Sequence, residues 1–471
     1  MYSSFFGIEI AKKALFAQQR AQENVAHNIA NANTPGYSRQ RAIMESTYVK
    51  PYGGTNLAGT GAYQLGSGVK VEDIARVRDA FKDMQFREEN SGLGFWQFQA
   101  DSLKQIEAVF NEPSDIGVSS VLTEFWKSLE ELSKNPEAVE IRETVKERAV
   151  TLTNTINHTA NQLQQIINDV NFRLSIKVDE VNNLAKQISE LNAQIQQTEI
   201  VGVTASDLRD KRDLLLDDLS KLVNIDTYED QNGIFTVTVG GAIMIKGSDY
   251  ETMKFDIDNP SDGVRWSGYN TDVNLSKGEL KGLLELRDNK IKVYQDKLNS
   301  FTTAFVSNFN SIHKNGYDLD GNPGVDFFRQ PPNAGEIISV SSDILNDIRK
   351  IAAAGSSTGV PGDNENALAL ANLKYDKVLI DGQNITLDDY YGSLISKLGV
   401  DSQEAQRMAA SQEVMVSQLD EQRKEISSVS LDEEMAKMVM YQHAYNAAAR
   451  MVTTLDEMID TIVNRMGITG R

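Results

Sequence analysis

The apolar positions at the start of the chain recur with the period of an amphipathic helix. From about residue 8 to residue 30 they fall on heptad-like positions, which predicts a helix with one apolar seam. The seam consists of Ile8, Ala11, Leu15, Val25 and Ile29. Pro35 disfavours a helical conformation of the residue before it, and Gly36 favours a turn, so we expect the helix to end near residue 30. Residues 41–75 are rich in Gly and Thr, which indicates extended or loop structure.

The middle of the chain changes its period twice. Between about residues 95 and 223 the pattern is mainly helical, and an apolar repeat from Leu163 to Ile195 predicts a long helix in a coiled-coil-like bundle. Alternating apolar residues on both sides of Gly240-Gly241 predict a β-hairpin within a β-containing stretch at about 224–275. Helical spacing then returns, and residues 315–365 are rich in Gly, Asn, Asp and Pro, which predicts loops.

A last helical stretch runs from about residue 388 onward, with a break predicted near Ser427-Ser428. Its final part has successive seam positions without a charged residue: Met438, Tyr441, Tyr445, Ala448, Val452, Leu455, Ile459, Ile462 and Met466. A single seam of this kind most often faces the core of its own molecule. Because the N-terminal helix carries a similar seam, we expect the two seams to pair within or between subunits. On the N-terminal side the expected contact residues are Ile8, Leu15, Val25 and Ile29.

The charges of the two ends favour this pairing. Residues 1–50 hold six basic and three acidic residues, a net charge of +3, whereas residues 401–471 hold seven basic and twelve acidic residues, a net charge of −5. Exposed ion pairs contribute only ~0–1 kcal/mol each, so the seams provide most of the expected stabilisation, at roughly 25 cal/mol per Å² of buried apolar area. An isolated helix pair is marginal in water, and we therefore expect neighbouring copies to cover its remaining apolar surface.

Together these elements predict a mainly α protein with a β-containing insertion. The terminal helices flank a helical middle region, which in turn flanks the β-containing insertion, and this order predicts an elongated, nested multidomain protein. Its terminal helices are expected to form a coiled coil, followed by a helical-bundle middle domain and an outer α+β or β domain. The expected domains are a terminal coiled-coil assembly domain at 1–60 and 425–471, a helical middle domain at 61–223, 276–320 and 385–424, a β-rich outer insertion at 224–275, and a loop-rich excursion at 321–384 packed on the middle or outer domain.

The composition narrows the classes of function. A chain of 471 residues without cysteine cannot hold disulfides, zinc ribbons, iron–sulfur clusters or cysteine nucleophiles. The 47 basic and 67 acidic residues give a net charge of −20, which argues against nucleic acid as a partner. No run of residues approaches the ~18 apolar residues of a membrane span, so we expect no membrane insertion. The N-terminus also lacks the pattern of a cleaved signal peptide, which predicts that any export uses another route.

The sequence offers little support for catalysis or metal binding. Its four histidines lie far apart and outside metal-binding patterns, and neither a GxSxG motif nor a phosphate-binding loop is present. Asp318, Asp320 and Asn322 match the first three ligand positions of a calcium loop. Pro323 and Arg329, however, stand where that loop needs Gly and a bidentate Glu, so a tight turn is the favoured interpretation. We expect no enzyme, no catalytic residue, no cofactor and no metal.

Both ends of the chain resemble the axial proteins of the bacterial flagellum, which are the rod, hook and hook-associated proteins. The segment NIANANTPGY at Asn28–Tyr37 resembles their N-terminal signature, and its continuation Ser38–Gln40 is similar to the hook-associated members that join hook to filament. Ser430–Asp460 resembles the C-terminal region of the same members, and residues 362–373 and 390–394 are similar to their interior. The residues of the signature turn are Asn31, Asn33, Thr34, Pro35, Gly36 and Tyr37.

The resemblance implies a structural protein that self-assembles at the distal end of the hook, as the hook–filament junction on which the filament is built. It implies export by the flagellar type III apparatus, an extracellular location in the flagellum, and terminal helices that form an inner tube. The implied partners are further copies in a ring or helical array, the hook protein, the next hook-associated junction protein, and an export chaperone at about residues 430–471. The alternatives are another axial protein, such as hook or distal rod, and a type III-exported enzyme or adhesin with axial-type ends.

Overall fold

The computed structural model describes residues 6–48, 66–200, 202–269, 271–330 and 337–465. Within these ranges the chain is mainly α-helical and carries several small antiparallel sheets. This confirms the predicted class of a mainly α protein with a β-containing insertion. No helix within the described ranges is both long enough and apolar enough to cross a lipid bilayer.

Eleven α-helices occur in the described residues. The predicted break near Ser427-Ser428 separates the last two of them. The helices are α1 Phe6–Ala30, α2 Ala80–Phe110, α3 Val118–Lys134, α4 Val139–Glu199, α5 Ser206–Leu222, α6 Glu279–Glu285, α7 Lys292–Asn315, α8 Ser342–Asn346, α9 Glu365–Asn372, α10 Leu387–Ser427 and α11 Leu431–Asp460. The Ser430 side chain accepts a hydrogen bond from the backbone N–H of Glu433 and thereby caps α11. Two π-helical stretches, Leu286–Ile291 and Thr461–Arg465, follow α6 and α11, and 3-10 turns lie at Pro260–Asp262 and Ile348–Lys350.

The strands form short antiparallel sheets. They are β1 Gln40–Tyr48, β2 Gly66–Arg76, β3 Ile225–Glu229, β4 Phe235–Val239, β5 Ala242–Lys246, β6 Asp249–Tyr250, β7 Met253–Phe255, β8 Val264–Trp266, β9 Phe328–Arg329, β10 Ser339–Val340, β11 Val378–Ile380 and β12 Gln383–Ile385. Strands β3 to β6 form one sheet in sequence order, and the other strands pair β1 with β2, β7 with β8, β9 with β10 and β11 with β12. Gly240 and Gly241 join β4 to β5 with φ angles of 57° and 86°, which confirms the predicted hairpin.

The predicted long helix is α4, which spans 61 residues. Its buried residues recur every three or four positions, with one longer step, because one stripe of the helix faces its neighbours. Between residues 163 and 195 the buried apolar positions are Leu163, Ile166, Val170, Leu174, Val178, Val181, Ala185, Ile188 and Ile195. The prediction of a long helix is therefore confirmed.

The chain divides into two compact units. The terminal unit consists of Met1–Asn90, Val181–Thr252 and Val414–Arg471, and the central unit consists of Ser91–Glu180 and Met253–Glu413. Both chain ends belong to the same unit, as the nested pattern predicts. The division differs from the four predicted domains, because the predicted insertion contributes β3–β6 to the terminal unit and β7–β8 to the central unit. The predicted domain boundaries stay a prediction.

The central unit is built around buried aromatic rings. They are Phe125, Trp126, Phe301, Phe305, Phe309, Phe327 and Phe328. His313 extends this cluster and lies edge-on to Phe327. Its Nε2 accepts a hydrogen bond from the N–H of Ala352, and its Nδ1 lies 2.6 Å from the carbonyl oxygen of Val325. His313 thus ties two loop segments to α7 in its neutral form, and burial lowers the pKa of His313 to about 4.

Candidate assembly site at the paired chain ends

Helices α1 and α11 pack against each other in the terminal unit. The approach is close at Gly7, where a Cβ atom would lie 3.2 Å from both methyl carbons of Leu455. Helix α1 also packs against β1 and β2, and a Cβ on Gly68 would lie 3.5 Å from the Cα of Ile10. Pairing of the two terminal helices within one chain is therefore a feature of the fold. Pairing between subunits stays a prediction.

The predicted seam residues differ in their burial. Ala11, Val25 and Ala448 are buried. The half-buried members are Ile8, Leu15, Ile29, Met438, Tyr441, Val452, Leu455 and Ile459. Tyr445 and Ile462 are 37% and 51% exposed, and Met466 lies outside the described residues. A single chain thus covers the seam of α11 only in part, and an apolar strip remains available to another surface.

A second group of apolar residues on α11 is also exposed, and the sequence analysis missed it because these residues lie outside the heptad positions. Met440, Met451 and Met458 are 55%, 51% and 56% exposed. Their spacings of eleven and seven residues place them along one flank of the helix, beside the seam. The spacing was readable in the sequence, since unbranched apolar residues that recur along a helix flank mark a second face.

The side chain of Asn28 connects α1 to two other segments. Its Nδ2 group donates hydrogen bonds to the carbonyl oxygen of Gln40 and to Oε2 of Glu434, at 2.8 and 2.9 Å. Its Oδ1 atom accepts from the N–H of Gln40 and from the hydroxyl of Tyr37, at 2.9 and 2.8 Å. Asn28 and Glu434 are 0% and 1% exposed. One buried amide therefore holds the end of α1, the start of β1 and the first turn of α11 together.

Two residues of the signature turn, Gly36 and Tyr37, contact other parts of the terminal unit. Burial raises the pKa of the Tyr37 hydroxyl, and the carboxylates of Asp207, Asp210 and Glu434 raise it further. The hydroxyl therefore stays protonated and donates to Oδ1 of Asn28. The φ angle of Gly36 is 76°, and a Cβ there would lie 3.3 Å from the side chain of Leu214.

The remaining signature residues have local or exposed positions. Asn31 donates to the carbonyl oxygen of His27 and accepts from the hydroxyl of Thr34, which closes the end of α1. Asn33, Thr34 and Pro35 are exposed. Asn28, Gln40 and Glu434 lie in the segments that carry the resemblance, but the sequence predicted no role for them. Buried polar partners 12 and 406 residues apart leave no periodic signal.

The calcium-like segment is a turn. Oδ1 of Asp318 accepts hydrogen bonds from the backbone N–H groups of Asp320 and Asn322, and the carboxylate of Asp320 pairs with Arg349. These contacts use the oxygens that a cation would need and confirm the interpretation as a tight turn. Across the part of the chain that the structure describes, no three His, Asp or Glu side chains are grouped in a way that could hold a metal ion.

Three models of flagellar protein families match this chain. A family model described as flagellar hook-associated protein FlgK helical domain matches residues 103–328. Models of the flagella basal body rod protein and of the flagellar basal body rod FlgEFG protein C-terminal match residues 8–37 and 421–466. These two ranges contain all but the first two residues of α1, the signature turn and the whole of α11. Helices α1 and α11 are the segments that pair in the terminal unit.

Several relatives extend the similarity over the chain. Flagellar hook-associated protein 1 of Bacillus subtilis is 37% identical, and the alignment covers 100% of both chains. The protein of the same name from Salmonella typhimurium is 26% identical over 97% of this chain and 99% of its own length. The solved structure of the flagellar hook junction protein FlgK from Burkholderia pseudomallei has a similar fold, with a TM-score of 0.63, 17% identity, and coverage of 74% of this chain and 100% of that chain.

Proposed function

The chain belongs to the flagellar hook-associated protein 1 family and has a structural role in the bacterial flagellum, and we propose that it self-assembles at the distal end of the hook as the junction on which the filament is built. The observation that carries this proposal is the α1–α11 pair with its partly uncovered apolar seam. A structural protein that acts by assembly needs such a surface, whereas an enzyme needs a site for substrate.

Further copies of this chain are the proposed occupants of the uncovered seam. Tyr445, Ile462 and the exposed methionines of α11 leave a strip of apolar surface along a helix whose other side is already paired with α1. Covering that strip with the terminal helices of neighbouring copies removes apolar area from water and closes a ring or helical array. Hook protein on one side and the next hook-associated junction protein on the other are the proposed contacts at its ends.

Export by the flagellar type III apparatus is part of the same proposal. The absence of cysteine suits a chain that passes through a channel unfolded, because no disulfide can form before the passage is complete. An export chaperone at about residues 430–471 would cover the apolar flank of α11 before export. The final location is then extracellular, in the flagellum, and the chain acts without catalysis.

A deletion strain tests the proposed position. We expect electron microscopy to show hooks without filaments and flagellin shed into the medium, with both defects reversed by the wild-type gene. Strains that lack hooks altogether would instead favour a hook or distal rod protein. Normal filaments in the deletion strain would favour an exported enzyme or adhesin with axial-type ends and would refute the junction role.

A further inference from the structure

Four guanidinium groups and four carboxylates are buried together inside the terminal unit. We call them the arginine–aspartate cluster, and each of its side chains is at most 15% exposed. Its members are Arg76, Arg78, Arg87, Arg423, Asp83, Asp210, Asp213 and Asp217. Buried charges are costly unless each is paired, so the balance of the cluster matters to the fold.

Two of the arginines join β2 and α2 to α5. Arg76 Nη1 lies 2.8 Å from Oδ1 of Asp210 and 2.8 Å from Oδ2 of Asp213. Arg87 donates through Nε to Oδ1 of Asp217 at 2.9 Å, and its Nη2 lies 3.2 Å from Oδ1 of Asp213. The three aspartates recur at steps of three and four residues and therefore share one face of α5.

The remaining two arginines complete the contacts. Arg78 donates two hydrogen bonds to the carboxylate of Asp83, from Nε at 2.6 Å and from Nη2 at 3.1 Å. Its Nη1 lies 3.4 Å from Oδ2 of Asp213. Arg423 of α10 donates to Oδ2 of Asp217 at 2.6 Å and lies 3.6 Å from Asp83. Burial by itself would raise the pKa of Asp213, but the charges of Arg78, Arg87 and Arg76 outweigh it, and the pKa is lowered.

One further carboxylate lies at the rim of the cluster and has a second cation as a partner. Asp420 is 26% exposed and pairs with Arg423 and with Lys424, whose side chain is 68% exposed. Arg212, which precedes Asp213 on α5, is buried, donates to Oδ1 of Asn192, lies over the ring of Phe235 and is 3.9 Å from Glu229.

The cluster is neutral only when three distant segments meet. Residues 76–87 contribute three arginines and one aspartate, a net charge of +2, and residues 210–217 of the cluster contribute three aspartates, a net charge of −3. Arg423 supplies the last positive charge. Without it, Oδ2 of Asp217 loses its 2.6 Å partner and one negative charge stays buried without compensation.

We propose that Arg423 completes the charge balance of the arginine–aspartate cluster, so that the terminal unit is fully stable only when the C-terminal segment supplies this charge. Arg423 and Asp217 are 206 residues apart, so the contact forms only after most of the chain is available.

Amide hydrogen exchange on the purified full-length protein tests the proposal without reference to the flagellum. The guanidinium carbon of Arg423 lies 3.9 Å from the centre of the Phe86 ring. Arg423→Met removes the charge but leaves an unbranched apolar side chain next to that ring. We expect amides of α5 and of the first turns of α2 to exchange about 100-fold faster, while α7 in the central unit is unchanged. The matched control is Lys424→Met, the neighbouring exposed cation, which should change exchange by less than about threefold.

Two further variants separate charge from shape. Asp217→Asn combined with Arg423→Met removes one charge of each sign, and we expect it to recover most of the lost protection. Arg423→Lys keeps the charge and should exchange more slowly than Arg423→Met. If Arg423→Met abolishes protection throughout the terminal unit, recovery in these two variants supports the proposal. The proposal is overturned if Arg423→Met behaves like Lys424→Met, if the double variant is no better than the single one, or if the Lys variant loses as much protection as the Met variant.

Discussion

Replacing Asn28 with Asp tests whether one buried amide fixes α1 to α11. The substitution keeps the shape of the side chain and its accepting oxygen, but it removes the donors that reach Gln40 and Glu434 at 2.8 and 2.9 Å. It also places a second carboxylate against that of Glu434, which is buried and bonded to Lys437. The variant therefore loses two hydrogen bonds and gains a like-charge contact.

The size of the effect follows from these contacts. A hydrogen bond to a charged group contributes about 1.5–3 kcal/mol, and an unsatisfied buried acceptor costs about 1–3 kcal/mol. We therefore expect Asn28→Asp to lower the free energy of unfolding of the terminal unit by about 3–5 kcal/mol at neutral pH.

Urea titration followed by hydrogen-exchange mass spectrometry measures this change. Peptides from α1 and α11 report on the terminal unit, and peptides from α7 provide an internal reference in the central unit. The control is Asn33→Asp, the same chemical change at an exposed position of the signature turn. This role of Asn28 is refuted if Asn28→Asp costs less than about 1 kcal/mol, or no more than Asn33→Asp.

Three further substitutions test other parts of the fold. Leu455→Asp should leave the central unit folded but abolish incorporation and filament growth in cells, whereas Leu379→Asp, at a 72% exposed position of the central unit, should permit full-length filaments. Gly36→Ala should destabilise the terminal unit in urea by about 1–2 kcal/mol more than Gly202→Ala, because both residues have positive φ but only Gly36 is close to a neighbour. Since burial lowers the pKa of His313 to about 4 and an unfolded histidine titrates near 6.5, the unfolded chain binds the proton first. The central unit should lose about 2 kcal/mol between pH 7 and pH 5, a loss that His313→Gln removes.

The periodic parts of this fold were predictable from the sequence. A long apolar repeat identified α4, two adjacent glycines identified the β4–β5 hairpin, and Ser427-Ser428 marked the break between α10 and α11. Each of these signals is local, because the residues that create it are close in sequence and act through backbone preference or through one face of a helix.

Contacts between distant polar residues were not predictable in the same way. Asn28 and Glu434 are separated by 406 residues, and Asp217 and Arg423 by 206. Asparagine in a helix and aspartate on a helix face are usually solvated, so the sequence gives no reason to bury them. Only the fold shows that these polar groups lie inside the terminal unit, where each is satisfied by a partner from another segment.

The apolar seam and the buried polar contacts have different tasks in the pairing of the chain ends. Apolar residues in a heptad repeat stabilise helix pairing, but helices shifted by one heptad bury a similar apolar area. The amide of Asn28 reaches the carboxylate of Glu434 in one register only, and the same amide fixes the strand that begins at Gln40. A shifted pair would leave Glu434 buried without this partner. The seam therefore provides most of the stabilisation, and the polar contacts select the register in which α1 and α11 present their uncovered surface to other copies.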